Sequence, residues 1–390
     1  MVEAAAALSP PERRAVATLA VIYAVRMLGL FLLLPVLALY AGSMPGGTPL
    51  LAGLAVGAYG LTQALLQIPF GVWSDRLGRR PLIVTGLLLH IGGSALGYFA
   101  ATAWALVIAR TVQGMGAVSG PVMALLADRT RPASRTRAMA FIGISIGISF
   151  VVSLVGGPLL AGKIGVSGIF ALIGGLGVVA LALIVFAVPK EAARVTGPVR
   201  RSWRQALTRR LLPHYAGIFI LHLSLTATFI AIPHALRDVH GIAAPQHWEF
   251  YLAVFAASLA LTVPLLLWSE RSAKPTRTVV AGALLLAGAQ GALALCYLNF
   301  AAMAVALVIF FGAFNFLEAR LPASLAGAAG EEMRGAALGV FSTCQFAGAF
   351  AGGILGGGLL GSAAGIPGVF LLASFAAAAW LTLAGRSESR

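Results

Sequence analysis

The sequence predicts an all-α membrane protein with twelve transmembrane helices in two pseudo-symmetric halves of six. The first observation is composition, because 59% of the residues are hydrophobic, 10% are charged and the mean hydropathy is +0.94. A soluble fold cannot bury that much apolar surface. The second observation is a series of twelve apolar runs, each long enough to cross a bilayer. The third is a short motif of the first half that recurs half a chain later.

The twelve apolar runs, called spans 1 to 12, are separated by short polar connections. Span 1 is too long for the core of a signal peptide and is interpreted as a retained helix. Glycine and proline inside several spans are tolerated, because neighbouring helices can satisfy the freed backbone groups. In order, the spans cover residues 15–41, 50–73, 81–101, 103–127, 137–161, 167–188, 213–236, 249–269, 277–297, 300–326, 335–361 and 365–384.

A degenerate repeat relates the two halves. Trp73-Ser74-Asp75-Arg76 at the end of span 2 recurs as Trp268-Ser269-Glu270-Arg271 at the end of span 8, a displacement of 268 − 73 = 195 residues. The halves are therefore predicted as six-helix bundles over residues 1–189 and 213–390, joined by a basic cytoplasmic linker over 190–212.

The linker leaves two interpretations open. Trp203, Leu207 and Leu211 lie at helical spacing, which is typical of an amphipathic segment on the inner leaflet. A solvated basic connection explains the same residues equally well. In both cases the linker is too short to be a folded domain.

Lysine and arginine residues predict the orientation. All but five of the 27 fall in connections on the same side as the N-terminus, and this asymmetry predicts both termini in the cytoplasm of a cell inner membrane. Because these residues lie between spans, topology explains the net charge of +15 better than nucleic-acid binding does. The five exceptions are Lys163 and Arg237 on the other side, and Arg26, Arg110 and Arg320 within spans.

The connection between spans 2 and 3 carries the most informative motif. Residues 71–81 read Gly-Val-Trp-Ser-Asp-Arg-Leu-Gly-Arg-Arg-Pro, with glycines that permit close helix approach and a tight reversal. They match Gly-x-x-x-Asp-Arg-x-Gly-Arg-Arg at every defined position, so the chain resembles the major facilitator superfamily. The resemblance implies a conformational latch, in which the acid meets the positive N-terminus of span 11 around 335–338 when the cytoplasmic side is closed. The predicted latch residues are Gly71, Asp75, Arg76, Gly78, Arg79, Arg80 and Asp128, with Asp128 paired to Arg79 or Arg80.

Further motifs narrow the resemblance. Residues 110–116 (Arg-Thr-Val-Gln-Gly-Met-Gly) look like the second motif of the proton-coupled members, and residues 153–158 like a partial antiporter motif with serine in place of its first glycine. Residues 26–31 with Pro35, and residues 139–143, resemble the YajR-like branch of the drug:proton antiporters. Some members of that branch carry an additional C-terminal soluble domain, which is not expected here.

Glu318 is the predicted proton carrier, since it is the only one of the twelve acids deep inside a span. An anionic carboxylate is costly in hydrocarbon, so its protonated form becomes accessible, and intramembrane ionisable residues are functional by default. The alternative is a structural partner for a buried arginine. Arg320 is two residues away and faces elsewhere on a helix, whereas Asn315 shares the face of Glu318 and Pro322 predicts a kink beside it. His222 in span 7 is the candidate relay partner.

The arginines inside spans must face protein, water or a carboxylate. The resemblance puts Arg110 near the proton or substrate path, and the alternative is a helix clamp that uses backbone carbonyls and the nearby glutamines. Three such arginines against one acid predict a cavity that handles neutral or anionic compounds better than cations. The proton-coupling candidates are Glu318, His222, Arg320 and Arg110, and the cavity candidates are Arg26, Gln63, Gln67, Asn315 and Gln345.

Together these features predict a proton-coupled secondary transporter, an antiporter that exports small organic compounds by alternating access. Uptake or facilitated diffusion of a metabolite by the same fold is the nearest alternative. A polytopic membrane enzyme is disfavoured because the sequence shows no clustered catalytic or metal-ligating groups, and a non-transporting receptor is a further class. No Walker-type motif suggests ATP use, and no cofactor is implied. The expected partners are a small-molecule substrate, protons and the lipid bilayer, with the protein acting as a monomer.

Overall fold

A computed structural model of the chain describes residues 8–188, 203–272 and 275–386, and within these ranges it contains helices and no strand. Residues 190–202, most of the predicted linker, lie outside the described residues. Nine helices in the described part are long and apolar enough to cross a membrane. Two of them are pairs of spans joined through a glycine: Pro132–Ala182 turns at Gly165 and Phe300–Leu360 turns at Gly330. Both glycines have a φ of 71°, which glycine reaches without steric cost.

The nine helices in the described ranges contain eleven of the twelve spans. Span 4 is not among them because it is divided into two helices that are each too short to cross alone. Span 1 is also interrupted, at residues 32–36, where Pro35 has no N–H to donate. The remaining bounds are Pro10–Phe31 and Leu37–Ser43 (span 1), Pro49–Leu77 (2), Arg79–Tyr98 (3), Ala103–Gly114 and Ser119–Asp128 (4), Leu212–His234 (7), His247–Arg271 (8), Pro275–Cys296 (9) and Gly365–Arg386 (12). Short turns of π-helix, Leu183–Ala187 and Ala235–Val239, extend spans 6 and 7, and short 3₁₀ turns lie at Trp203–Ala206 and Ala244–Gln246.

The repeat seen in the sequence has matching environments in the two halves. Trp73 and Trp268 are each 45% exposed, while the serines that follow them, Ser74 and Ser269, are buried. The same four-residue pattern therefore ends spans 2 and 8 with the same orientation, an indole outward and a hydroxyl inward. This agreement is what two copies of one helical unit produce.

Span 11 carries two stripes of glycine, one that packs within the second half and one that joins the two halves. Gly348 and Gly352 lie directly against the backbone of span 7, while Gly353 and Gly357 lie against Gly53 of span 2. A Cβ at Gly53 would come within 2.8 Å of the Cα of Gly357 and would collide with the carbonyl of Gly353. Glycine at these positions thus permits backbone-to-backbone packing between helices.

These contacts define which end of the molecule is closed. We call the end with the 2–3, 4–5, 8–9 and 10–11 connections the basic face, and the other end the opposite face. The glycines that seal spans 2 and 11 together lie toward the opposite face, where Gly162 also packs on Pro245 across the halves. At the basic face, Gly335 is exposed and has no described atom within 4 Å of an added Cβ, and the same is true of the space beside Gly339. The structure is therefore closed at the opposite face and open at the basic face.

The described end of the linker packs onto the second half. Ala206 is fully buried, and its carbonyl accepts a hydrogen bond of 3.0 Å from the hydroxyl of Tyr215 in span 7. Leu211 is buried in the same core, whereas Trp203 and Leu207 are exposed. The three residues do not form one apolar face, because only a single 3₁₀ turn forms here and Leu211 points into the protein.

Candidate functional site

Three polar side chains from three helices meet in the second half of the chain. Glu318 of span 10, His222 of span 7 and Gln345 of span 11 each lie near the middle of their helices. The Gln345 amide nitrogen donates to Glu318 Oε1 at 3.2 Å and lies 2.8 Å from His222 Nε2. Glu318 Oε2 is 3.8 Å from His222 Nδ1. We call these three residues the carboxylate triad.

The triad is partly exposed. The Glu318 side chain is 38% exposed and the His222 side chain 14% exposed, yet Glu318 Oε2 itself is buried and accepts no hydrogen bond from the described residues. His222 Nδ1 lies 3.3 Å from the carbonyl of Ile218, one turn earlier on span 7. One carboxylate oxygen is thus held by an amide, and the other faces the imidazole.

The other predicted neighbours of Glu318 turn elsewhere. Asn315 donates to Ser258 of span 8 at 3.5 Å rather than to Glu318. Within the described residues no ion pair joins Arg320 to Glu318, as their spacing of two residues predicts. Pro322 lies within the helix four residues after Glu318. No group of three or more potential metal ligands is found in the described part of the chain.

Aromatic rings fill the space between the triad and the first half. The Phe314 ring lies 5.8 Å from the His222 ring. Phe310 and Phe311 lie one turn earlier on span 10, and Phe310 contacts Phe314. A second set crosses the boundary between the halves: Phe31 contacts Phe150 at 5.1 Å, Phe150 contacts Phe255 at 5.8 Å, and Phe255 contacts Phe311 at 6.0 Å. Such edge-on and tilted contacts are the arrangements that aromatic pairs prefer. These ring contacts join the two halves on the opposite-face side of Glu318, since Phe311 lies seven residues before Glu318 toward that end of span 10.

The cavity candidates of the first half surround the break in span 4. Arg26 donates to the carbonyl of Gly116 at 3.3 Å and to the hydroxyl of Ser119 at 2.7 Å. Gln63 donates to the carbonyl of Gly114 at 2.7 Å. Irregular backbone at membrane depth is tolerated only where protein or water satisfies its polar groups. Arg26 and Gln63 do this for span 4, whereas the helix clamp was considered in the sequence analysis for Arg110.

Arg110 lies deeper in the same network. Its guanidinium is 4.8 Å from the centre of the Tyr59 ring and donates to Gln113 Oε1 at 2.5 Å, and Gln113 donates in turn to Ser94 at 2.9 Å. Arg110 and Gln67 are 2% and 6% exposed. The structure therefore places Arg26, Arg110, Gln63 and Gln67 in the interior of the first half, apart from the carboxylate triad, and brings only Gln345 of the cavity candidates into it.

The motif between spans 2 and 3 forms a charged cluster at the basic face. Arg79 is buried, forms an ion pair with Asp75, donates to Ser74 Oγ at 2.6 Å and lies 3.5 Å from Asp128. Of the two arginines expected beside Asp128, the structure brings Arg79 there. Arg80 instead donates to the carbonyl of Val185 at the end of span 6.

The turn of this motif is made by Gly78, whose φ of 96° is a conformation that favours glycine. The expected contact between Asp75 and the start of span 11 belongs to a state closed at the basic face. Since Gly335 is exposed in the open state described here, that contact stays a prediction.

Sequence reasoning missed one buried acid, Glu12. Its Oε1 accepts from the backbone and guanidinium of Arg131 at 2.8 and 3.1 Å and from Ser134 at 2.8 Å, while Oε2 accepts from the Ser9 backbone at 2.8 Å. These bonds tie the start of span 1 to the start of span 5, and they raise the pKa of Arg131 above its ordinary value. The signal was present, because Ser-x-x-Glu before an apolar run is a capping box.

An apolar groove lies elsewhere in the second half. This groove of about 570 Å³ runs between spans 8 and 10 near the opposite face, lined by apolar side chains together with Glu249 and Gln246. It does not include any residue of the triad. Because it lies more than two turns from Glu318 along span 10 and lacks the triad residues, it is a poor candidate for the coupling site.

Comparison with known proteins decides the family. The family model described as the Major Facilitator Superfamily matches residues 19–265. The chain belongs to the Major Facilitator Superfamily. Over 382 residues it is 40% identical to the inner membrane transport protein YajR of Escherichia coli (strain K12), which covers 97% of this chain and 84% of YajR. It is also 28% identical over 269 residues to the multidrug resistance protein MdtH of Cronobacter sakazakii (strain ATCC BAA-894), which covers 67% of this chain and 65% of MdtH.

Solved structures show the same fold. A bacterial homologue of the human lysosomal transporter Spinster, in an inward-facing and occupied conformation, aligns with a TM-score of 0.79 at 15% identity, over 97% of this chain and 98% of its own. The human organic anion transporter MFSD10 aligns with a TM-score of 0.69 at 17% identity, over 96% and 100% of the two chains. The prediction of an all-α major facilitator fold is confirmed, and the chain is a multi-pass membrane transporter of small molecules rather than an enzyme.

Proposed function

We propose that this chain is a proton-coupled antiporter that exports small organic compounds, with Glu318 as the group that binds and releases the coupling proton. The carboxylate triad carries the proposal: among the described residues Glu318 is the one acid at the middle of a span, and it is both partly exposed and in contact with a titratable ring. A carboxylate in such a place can be neutral in one state and anionic in another. The similarity to a protein named for multidrug resistance favours export over uptake.

The proposed cycle uses the closed and open ends of the structure. In the state described here, the opposite face is sealed by the spans 2 and 11 glycines and by the Phe31, Phe150 and Phe255 rings. Separation of these contacts opens the opposite face, while the latch around Asp75 closes the basic face. One charge that crosses the membrane is worth about 2.3 kcal/mol per 100 mV, so proton entry can drive export without ATP.

The same proposal assigns the orientation and the moving parts. The basic face lies in the cytoplasm with both termini, because arginine is concentrated there. Residues 1–189 and 213–390 are two bundles that separate from each other at the opposite face, connected by the linker, in a monomer. The membrane is the cell inner membrane, where a proton gradient is available.

The test is transport by purified protein in liposomes under an imposed pH gradient. A panel of organic compounds is screened for efflux coupled to proton uptake, which a pH-sensitive dye reports. Glu318→Gln mimics the protonated acid and should abolish proton-driven transport while compound binding remains. Glu331→Gln is the control, since Glu331 is exposed at the basic face beyond span 10.

Two results would contradict the proposal. Equal proton-coupled transport by Glu318→Gln and the unmodified protein would move the proton site elsewhere, with the Asp75–Asp128 region as the next candidate. Compound movement that ignores the pH gradient in the unmodified protein would replace antiport with facilitated diffusion.

A further inference from the structure

The Gln345 amide is the only group in the carboxylate triad that touches both titratable side chains through hydrogen-bonding atoms. A primary amide nitrogen has two hydrogens and no acceptor capacity. In the observed arrangement the amide nitrogen lies 3.2 Å from Glu318 Oε1 and 2.8 Å from His222 Nε2. If its two hydrogens are donated to these two atoms, Oε1 accepts one bond and Nε2 presents its lone pair to the other.

The second ring nitrogen completes this arrangement. With Nε2 as an acceptor, neutral His222 carries its proton on Nδ1. Nδ1 lies 3.3 Å from the Ile218 carbonyl and 3.8 Å from Glu318 Oε2, the carboxylate oxygen that is buried without a hydrogen bond among the described residues. The amide thus fixes the imidazole so that its N–H faces that oxygen. The amide bond to Oε1 stabilises the anion of Glu318, whereas the burial of Oε2 without a hydrogen bond among the described residues opposes it.

The helix that carries Gln345 is also the helix that links the two halves. Span 11 lies against span 2 through Gly353 and Gly357 when the opposite face is closed, and its start is open at the basic face. Glu318 and His222 stand on spans 10 and 7. A movement of span 11 relative to these two helices would therefore change both amide contacts.

We infer that Gln345 is a positioning residue that ties the protonation of Glu318 to the conformation: it stabilises the Glu318 anion while the basic face is open and ceases to do so when span 11 moves. The inference rests on the proposed proton site. It gives the proton a direction, because Glu318 releases it toward the basic face and binds the next one after the opposite face opens. One proton is transferred per cycle, from water at one face to Glu318 and from Glu318 to water at the other.

The remaining ionisable groups near the triad have other partners or positions. On span 7, His214 bonds to Ser324 at 3.0 Å and Tyr215 donates to the Ala206 carbonyl. Cys344 on span 11 is half-buried, and Arg320 on span 10 is partly buried on a different face from Glu318. Span 8 faces this region with neutral residues, including Ser258, which bonds to Asn315. Spans 1 and 5 of the first half approach it with Phe31 and Phe150.

The experiment follows Glu318 and His222 in the purified full chain without any transported compound. Infrared difference spectroscopy over about pH 5 to 8 reports the carboxylic acid carbonyl of Glu318, identified by its loss in Glu318→Gln. Nitrogen NMR of histidine-labelled protein reports the tautomer of His222, identified by His222→Asn. In the unmodified protein, neutral His222 should carry its proton on Nδ1.

Gln345→Met keeps the length of the side chain and removes the amide. It should raise the pH at which half of Glu318 is protonated by about one to two pH units, which corresponds to the loss of one hydrogen bond to a charged group. It should also release His222 to a mixture of tautomers. Gln290→Met is the matched control, because Gln290 is a buried amide of the same half that donates to Thr228 at 2.8 Å and not to the triad. It should leave both signals unchanged.

The possible failures are distinguishable. If no Glu318 carbonyl band appears in the pH range, the proposed proton site is wrong. If the band appears but Gln345→Met shifts it no more than Gln290→Met does, only the role of Gln345 is wrong. The tautomer of His222 is measured in protein that retains Gln345. A proton on Nε2 would therefore overturn the arrangement even if Gln345→Met fails to fold.

Discussion

Glu12 and Glu318 are two carboxylates with opposite surroundings. Glu12 accepts hydrogen bonds from Ser9, Arg131 and Ser134, so its charge is fully compensated at the basic face. Glu318 has one amide donor and a buried oxygen without a partner among the described residues. The first arrangement holds one protonation state and serves as a structural tie. The second leaves a choice between states, which is what proton exchange requires.

Replacement of Glu12 by glutamine should lower the thermal stability without changing proton coupling. A neutral amide loses the charge-assisted bonds to Arg131, and its NH₂ group cannot accept from the donors that the carboxylate oxygen accepted from. The unfolding temperature in detergent should fall by several degrees. Glu331→Gln, at an exposed position, is the comparison and should change little. An unfolding temperature for Glu12→Gln equal to that of Glu331→Gln would remove the proposed tie between spans 1 and 5.

At the scale of helices, interruptions are placed where neighbours can satisfy them. Span 4 breaks between Gly114 and Ser119, and side chains of spans 1 and 2 bond to the carbonyls that the break exposes. Span 11, in contrast, is continuous over its glycine stripes and relies on backbone proximity. Helices of the first half are therefore held together in part by hydrogen bonds from polar side chains. The two halves instead contact each other through glycines, whose lack of a side chain lets the helix backbones approach closely.

Gly53→Ala should separate spans 2 and 11 at the opposite face. The added Cβ would collide with the Gly353 carbonyl and approach the Gly357 Cα at 2.8 Å, and backbone atoms cannot move aside without a helix shift. Overpacking of this kind costs about 1–3 kcal/mol, which is enough to shift a conformational equilibrium. Spin labels at Leu50→Cys and Leu355→Cys, both at exposed positions, should report a longer distance in a background without Cys296 and Cys344.

The control for this substitution is Gly288→Ala in span 9. Nothing lies within 4 Å of an added Cβ at Gly288, so it shares the gain of about 1 kcal/mol in helix propensity but not the collision. The distance between the labels should stay at the unmodified value in Gly288→Ala. An unchanged distance in Gly53→Ala as well would mean that the glycine contact does not hold the opposite face closed.

For the whole molecule, the two faces must close in turn, and the charged cluster at the basic face is the expected second closure. Asp75→Asn removes the charge that should meet the N-terminus of span 11. That interaction is worth about 0.3–1 kcal/mol, so the closed population should fall up to about fivefold. Maleimide labelling of Cys344, which is half-buried in span 11, should become faster from the basic face. Glu270→Gln, the equivalent acid of the repeat, is the comparison, and equal labelling of both variants and the unmodified protein would reject the latch.

The charge distribution of the interior predicts the class of compound. Arg26 and Arg110 are buried among neutral partners, so the first half holds positive charge that no described acid neutralises locally. Neutral or anionic compounds should therefore bind better than permanent cations, although these arginines act through their field rather than by contact. Binding of an organic anion and of a quaternary ammonium compound to purified protein compares the two. Tight binding of the ammonium compound with no response to the anion would refute the prediction.

The sequence by itself determined the class, the spans and the motif cluster. Apolar length, arginine placement and the repeat are properties of consecutive residues, and the bilayer imposes a fixed length on each helix. For the same reason the single acid of span 10 could be recognised without coordinates. The capping box at Ser9 was equally local, and its meaning was missed because its second partner, Arg131, lies far away in the chain.

Only the tertiary structure decided which side chains meet. Gln345 joins Glu318 and His222 because spans 7, 10 and 11 pack side by side, whereas Arg26 and Gln63 turn to the break of span 4. The sequence places all five inside spans but does not state the rotation of each helix about its axis. That rotation is fixed by close packing between helices, through glycines such as Gly348 and Gly353, and packing depends on residues far apart in the chain.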